Sequence, residues 1–303
     1  MKTPNLFLIG SPRSGSTSLY FKLKSHPEIY GPNIKELKYF GREIFYDHPK
    51  DYPFQNLDDY LKVYSSKHAQ SAKYRLDGTI FIMYSEKAIK NILEMNKDAK
   101  FILILRDPLE ASKSMHRQRL KSFNSGLREI SEDFYACWQS LENRKLNIDY
   151  PKNCRNKFLF RYDLLFRYEI YIPYIKKLIN QKNILYIDYS TFKSNPAFTL
   201  DSIFNFLKLK TYKLPLYNLN NEKGLKNNLY NRLINFLFEK ASKSILKNLI
   251  NKKFRKLIKT IINFLLVSNK NPNTSMFMDN EIKNFFKESY IEKKNILKNN
   301  SNI

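Results

Sequence analysis

A chain of 303 residues with 43% hydrophobic, 15% aromatic and 27% charged residues can bury a large core, which excludes wholesale disorder, collagen-like repeats and disulfide scaffolds. The 53 Lys and Arg against 28 Asp and Glu leave a formal charge of +25, which favours an anionic partner or substrate, although a composition with only 7 glycines also carries compositional bias. The two cysteines, Cys137 and Cys154, read as free thiols in a reducing compartment.

The first apolar run, Leu6 to Ile9, is far too short for a signal peptide or membrane anchor and reads as a strand. It enters Gly10-Ser11-Pro12-Arg13-Ser14-Gly15-Ser16-Thr17, and a helical pattern over Ser16 to Ser25 follows. A small-residue loop between a strand and a helix N-terminus presents unpaired N–H groups and a positive dipole end, which together make an anion site. The spacing matches GxxxxGK[ST] except that Ser16 stands in place of the lysine. A nucleotide triphosphatase needs that lysine on the β/γ-phosphates and an acid on a later strand to help hold magnesium.

Ser85 to Met95 has Ala88, Ile89, Ile92 and Leu93 at helical spacing and precedes a second strand, Phe101 to Leu105. That strand ends in Arg106 rather than an acid. Pro108 suits a helix start, and Ser114 lies two turns into that helix, where its hydroxyl and the strand-end guanidinium can pinch one phosphate. Taken alone, Arg106 also reads as a surface arginine beside Asp107. Leu164 to Ile179, expected to kink or restart at Pro173, precedes a third strand, Ile184 to Ile187. Asn195-Pro196 then caps a helix running to Leu207.

Alternating strands and helices predict an α/β fold: an open, doubly wound parallel sheet of four to five strands flanked by helices, P-loop-NTPase-like. His26, His48, His68 and His116 lack metal-ligand spacing and the cysteines form no CxxC, so no metal site is expected. Trp138, with Phe134 and Leu141 at helical spacing, reads as core.

From about residue 216 the strand signals end and helical periodicity takes over. Residues 217–303 carry 17 Lys and Arg against 6 Asp and Glu. The predicted helix around 243–267 has two readings: packed on the core with a solvated basic face, or an amphipathic helix resting on anionic lipid. Its longest apolar stretch, Leu257 to Val267, is interrupted by Lys259 and Asn263 and is too short to span a bilayer. The expected organisation is one domain over 1–303, with an α/β core over about 5–215 and a basic helical extension over about 216–303.

As an ordered set, these segments resemble a sulfotransferase of the carbohydrate or bacterial type, dependent on 3′-phosphoadenosine-5′-phosphosulfate (PAPS), over roughly residues 5–227. Gly10 to Thr17 is similar to that family's PRSGTT or PKTGTT loop, which grips the 5′-phosphosulfate. Leu105 to Ser114 is similar to LRDPxxRAxS, which grips the 3′-phosphate. Ser25 to Ile29 resembles LxxHPxI, Lys35 to Phe40 resembles KEPHYF, Arg75 to Ser85 resembles GExSPxYL, and Asn195 to Leu207 resembles DPxxxLxxIFxFLGL. Lys223-Gly224-Leu225-Lys226 is more loosely similar to a late basic loop that closes over the nucleotide. Lys38 stands where many members have histidine, and Ile80 where proline is usual.

The resemblance implies that Arg13, Ser14, Gly15, Ser16 and Thr17 hold the 5′-phosphosulfate, that Arg106 and Ser114 hold the 3′-phosphate, and that Lys223 and Gly224 cover the nucleotide. Glu36 would be the catalytic base, with Lys35 and Arg13 neutralising charge. The reaction implied is sulfuryl transfer from PAPS, without a metal, to a hydroxyl or, as second choice, an amine of a glycan or glycolipid, leaving 3′-phosphoadenosine-5′-phosphate (PAP). In-line displacement at sulfur needs a base on the acceptor side and fixed cations on the leaving side, which these residue types supply. The expected setting is cytoplasmic, with peripheral contact to an anionic membrane through the basic C-terminal helix and no nucleic-acid partner. Two rivals remain on sequence grounds: a P-loop-type kinase, weakened by the missing lysine, and a non-catalytic basic protein that binds nucleic acid or a membrane surface.

Overall fold

The computed structural model describes residues 2–45, 52–122, 124–154, 156–212 and 272–299. Lys223, Gly224, His48 and the predicted basic helix around 243–267 lie outside the described residues. The chain forms two compact units, Met1–Leu214 with Met278–Ile303, and Pro215–Phe277; the sheet belongs to the first.

Five parallel strands form that sheet: β1 Leu6–Gly10, β2 Ile29–Tyr30, β3 Tyr74–Asp77, β4 Lys100–Leu105 and β5 Ile184–Asp188, in the order β2-β3-β1-β4-β5. The three apolar runs read from the sequence are β1, β4 and β5. Their alternate residues serve opposite faces, as the strand period of two requires. Phe7, Ile9, Phe101 and Leu103 enter one core layer, and Leu6, Leu8, Ile102 and Ile104 the other. Both layers are covered by helices, which is why the runs are apolar throughout.

β2 and β3 carry no such run. Strand β3 reads Tyr-Arg-Leu-Asp, and its two charged side chains are buried because each finds partners. Arg75 donates to the Thr3 carbonyl at 2.6 Å and the Ala72 carbonyl at 2.8 Å. Asp77 accepts from the Tyr60 hydroxyl and the Thr79 amide, both at 2.8 Å.

The helices used below are α1 Ser16–Lys24, α2 Glu86–Met95, α3 Pro108–Leu120, α4 Tyr168–Leu178, α5 Pro196–Phe206, α6 Pro272–Phe285 and α7 Lys287–Asn299. Ser85, Asp107 and Asn195 cap α2, α3 and α5 with side-chain oxygens, and Pro108 and Pro196 open their helices. Helices α2 and α4 cover the Phe7 face, whereas α1 and α5 cover the Leu8 face. A restart, one of the two outcomes expected at Pro173, falls elsewhere. Helix α4 runs through Pro173, and the chain interrupts at Phe166-Arg167, after the short helix Tyr162–Leu165. Pro173 sits on the exposed side of α4 while Ile172 and Ile175 are buried beside it, so the carbonyl it leaves unpaired can face solvent.

In chain order β1 leads to β2 and β3 on one side of itself, while β4 leads to β5 on the other. The crevice beyond the C-terminal ends of β1 and β4 is therefore the topological switch point, where open α/β sheets bind ligands. Among the described residues no helix is long and apolar enough to cross a membrane, and no group of three or more His, Cys, Asp or Glu could hold a metal ion. Cys137 and Cys154 are unbridged, and Trp138 packs against Phe285 and Phe286 at the core edge.

Candidate active site

The loop after β1 is bent by three residues with positive φ, Gly10 at 145°, Arg13 at 66° and Gly15 at 76°. At Gly10 a Cβ would lie 2.1 Å from the Ile104 carbonyl oxygen, so only glycine lets β1 and β4 approach this closely. Arg13 holds a left-handed conformation that costs a side-chain-bearing residue roughly 1 kcal/mol or more, a strain that collects at functional sites. Hydrogen bonds fix the loop. Ser11 and Ser14 hydroxyls lie 2.6 Å apart, and the buried Tyr168 phenol bridges the Ser11 hydroxyl at 3.0 Å and the Arg106 carbonyl at 2.7 Å. One α4 side chain thus pins the C-terminal ends of both central strands.

At this mouth Arg13 Nε donates to Ser114 Oγ at 3.1 Å and Arg106 Nη1 donates to the Arg13 carbonyl at 3.0 Å. The Arg106 guanidinium lies over the Tyr189 ring, 4.8 Å from its centroid, and the same ring would meet a Cβ at Gly15 at 2.8 Å. Crowding by protein, followed by repulsion from Arg106, Arg119 and Arg117, holds the Arg13 pKa below its usual value. Among the described residues, the carboxylate in salt-bridge range of these four arginines is Glu110, 3.6 Å from Arg106. Arg119 also feels the charge of the buried Glu129, whereas Arg13 has no carboxylate in salt-bridge range among the described residues.

A second group stands at the other end of the loop. Lys35 Nζ donates to Glu36 Oε1 at 3.0 Å and to Ser16 Oγ at 3.2 Å. A lysine therefore does reach the anion loop, from a neighbouring segment rather than from the loop's own sequence. The Lys35–Glu36 segment is held from behind. Lys38, at φ 57°, donates its amide to Thr79 Oγ1 at 3.1 Å, and the Thr79 amide bonds Asp77. Burial pushes the Asp77 carboxyl above its usual range, against the hydrogen bonds from Thr79 and Tyr60, and the charge of Glu36 pushes the same way.

The structure thus brings Arg13, Ser14, Gly15, Ser16, Lys35, Glu36, Arg106 and Ser114 to one edge of the sheet, with Thr17 exposed on the first turn of α1. Arg106 and Ser114 do not bond one another; Arg13 joins them. Sequence reasoning passed over Tyr168, Tyr189, Thr79, Arg117 and Arg119. Tyr189 had a readable signal, because it follows β5 directly and strand C-terminal ends line such crevices. Arg117 had one too, three residues beyond Ser114 on the same helical face. Tyr168 had none, since its contact depends on where α4 crosses the sheet.

A parallel sheet in this strand order, with a glycine-bent loop at its switch point and cations converging on that loop, defines a P-loop-like α/β protein. The chain belongs to the sulfotransferase family, whose pattern it matches over residues 4–213. It is 30% identical over 113 residues to the membrane-associated sulfotransferase kil1 of Dictyostelium discoideum, covering 37% of this chain and 22% of that protein. It is 25% identical over 250 residues to human carbohydrate sulfotransferase 15, covering 68% of this chain and 44% of that one. The chain thus spans less than half the length of these relatives. A crystal structure of a sulfotransferase from Alicyclobacillus acidocaldarius shares the fold, with a TM-score of 0.60 at 19% identity over 80% of this chain and 94% of that one.

Proposed function

We propose that this protein transfers a sulfuryl group from PAPS to a hydroxyl of a carbohydrate-containing acceptor. The single observation that carries the donor assignment is the meeting of Arg13 and Arg106 beside the Ser114 hydroxyl, where Arg13 feels the repulsion of Arg106, Arg119 and Arg117 and has no carboxylate in salt-bridge range among the described residues. A nucleotide with phosphates at both the 3′ and 5′ positions fits that surplus, and Arg13 stands where it can serve both. The carbohydrate acceptor is supported by the likeness to carbohydrate sulfotransferase 15.

When bound, PAPS supplies an activated sulfur with a good leaving group. This chain's residues do the rest. Glu36 accepts the acceptor's proton as its oxygen bonds to sulfur, and the bond from sulfur to the bridging oxygen breaks, with that electron pair going to the 5′-phosphate. Lys35 sits between the two events, since its ammonium contacts both Glu36 and Ser16. As Glu36 becomes neutral it holds Lys35 less strongly, and the ammonium's field becomes available to the departing phosphate together with the loop N–H groups and Arg13. A base coupled in this way to a cation delivers electrostatic help at the moment it is needed.

Calorimetric titration with PAP and with AMP, in a metal chelator, tests the donor site without knowledge of the acceptor. PAP should bind, and AMP should bind at least about tenfold more weakly, because it lacks the 3′-phosphate that Arg106 and Ser114 address. Equal affinities would remove the 3′-phosphate assignment.

A further inference from the structure

The C-terminal helices α6 and α7 lie beyond residues 4–213, the span that matches the family. Their apolar side chains Ile282, Phe286 and Ile296 are buried in the core layer on the α2–α4 face. Their polar side chains, however, go to residues immediately beside the donor-site groups. Tyr290 donates to Asp107 Oδ1 at 3.1 Å, next to Arg106, and that same oxygen caps α3 by accepting from the Glu110 amide at 2.9 Å. Lys293 pairs with Asp188 at 2.8 Å, next to Tyr189, the ring under Arg106. Asp279 pairs with Lys113 at 2.5 Å, next to Ser114. Ser289 accepts the Tyr168 amide at 3.2 Å and donates to Glu169 at 2.5 Å.

A helix that only covered a core would have no reason to address four neighbours of one crevice. We infer that the C-terminal helices set the donor site, with Tyr290 and Lys293 as positioning residues for nucleotide binding. This rests on the donor reading above. The physical reason is charge management. Asp107 and Asp188 are the sequence neighbours of Arg106 and Tyr189, and a carboxylate that lost its α7 partner, although still bonded by the Glu110 amide or by Ser190, would carry more free charge to compete with the nucleotide for the Arg106 guanidinium. Tyr290 and Lys293 engage both from behind and leave that guanidinium to the incoming anion. Burial raises the Asp188 carboxyl, but hydrogen bonds from Lys293 and Ser190 outweigh it and hold the group below its usual range, so Asp188 stays charged and paired.

The test uses the full chain and PAP. Lys293→Met and Tyr290→Phe should each weaken PAP binding by about three- to tenfold, the effect of one lost hydrogen bond or ion pair, while the melting temperature without nucleotide moves little. Lys293→Arg should restore affinity to within about twofold. If Lys293→Met lowers melting and affinity together, the double variant Lys293→Met/Asp188→Asn decides, because removing the released carboxylate restores PAP binding only when positioning is the cause. Affinities unchanged in the single variants, or a double variant as weak as Lys293→Met, would overturn the inference. If the wild-type chain itself binds no PAP, the donor reading fails first and this inference falls with it.

Discussion

The two ends of the anion loop handle charge in opposite ways. At the Ser16 end, Lys35 and Glu36 satisfy one another at 3.0 Å, with side chains 11% and 28% exposed. At the Arg13 end, Arg13 feels the repulsion of Arg106, Arg119 and Arg117, and Arg106 has Glu110 at 3.6 Å. A satisfied pair gains nothing from binding a static anion, but it can be split by moving a proton. A repelling cluster gains most when an anion arrives. The contrast separates chemistry from affinity, and substitutions at the two ends should therefore damage different measurements.

The largest effect is expected at the neutralised end. Glu36→Gln keeps the shape and removes the proposed base, so turnover should fall by roughly 10²–10⁴ while PAP affinity stays within about twofold. Transfer measured over a panel of glycan acceptors checks this, and a turnover within a fewfold of wild type would move the base elsewhere. At the charged end Arg13→Ala should weaken PAP by about 10- to 100-fold, as expected for losing a charge-assisted contact, and should slow transfer as well. Ser114→Ala removes a neutral hydroxyl that also orients Arg13, and calorimetry should show a loss of about two- to tenfold.

A smaller effect, of the opposite sign, sharpens the comparison. Arg13→Met removes a charge that Arg106, Arg119 and Arg117 repel, so the nucleotide-free protein should melt at the same temperature as wild type or slightly above it. A marked drop would mean that Arg13 is structural. The smallest effect concerns acid. Asp188 titrates below its usual value of 3.8, so its pairing with Lys293 contributes stability that is fully present above that value and is lost as pH falls through the lower, folded-state value. The small melting difference expected between wild type and Lys293→Met should therefore be steady from neutral pH down to about 4 and vanish below it.

What the sequence disclosed follows from how local its causes are. Within Leu6–Gly10, Lys100–Leu105 and Ile184–Asp188, the runs Leu6–Ile9, Phe101–Leu105 and Ile184–Ile187 are buried on both faces and must be apolar whatever surrounds them, so they were legible as strands. Tyr74–Asp77 was not, because it is a strand only through its ladder with β1 and through Tyr60, Thr79 and main-chain carbonyls that satisfy Asp77 and Arg75. The anion loop was legible for the same local reason, since its glycines and small residues answer to backbone geometry. Its surroundings were not. The meeting of Lys35 with Ser16, of Arg13 with Ser114 and of Tyr168 with both central strands depends on tertiary placement that no short spacing encodes. Pro173 shows the converse, in which a strong local breaker signal does not end a helix that buries Ile172 and Ile175.

The close approach of Gly10 to Ile104 also has a kinetic meaning. Strands β1 and β4 meet in parallel register from Leu6↔Lys100 to Gly10↔Ile104, so the crevice is built from segments far apart in the chain. Such non-local pairing is slow to form, because the entropy of closing the long intervening loop is lost before any contact rewards it. The loop's final curvature depends on that late pairing, so on the proposed function a nucleotide would meet its site only after the central rungs have formed. A ligand that recognises the native state alone slows the escape from it and leaves the rate of arrival nearly unchanged. PAP should therefore act on this protein as a brake on unfolding, visible as a longer native half-life under denaturant at an unaltered refolding rate.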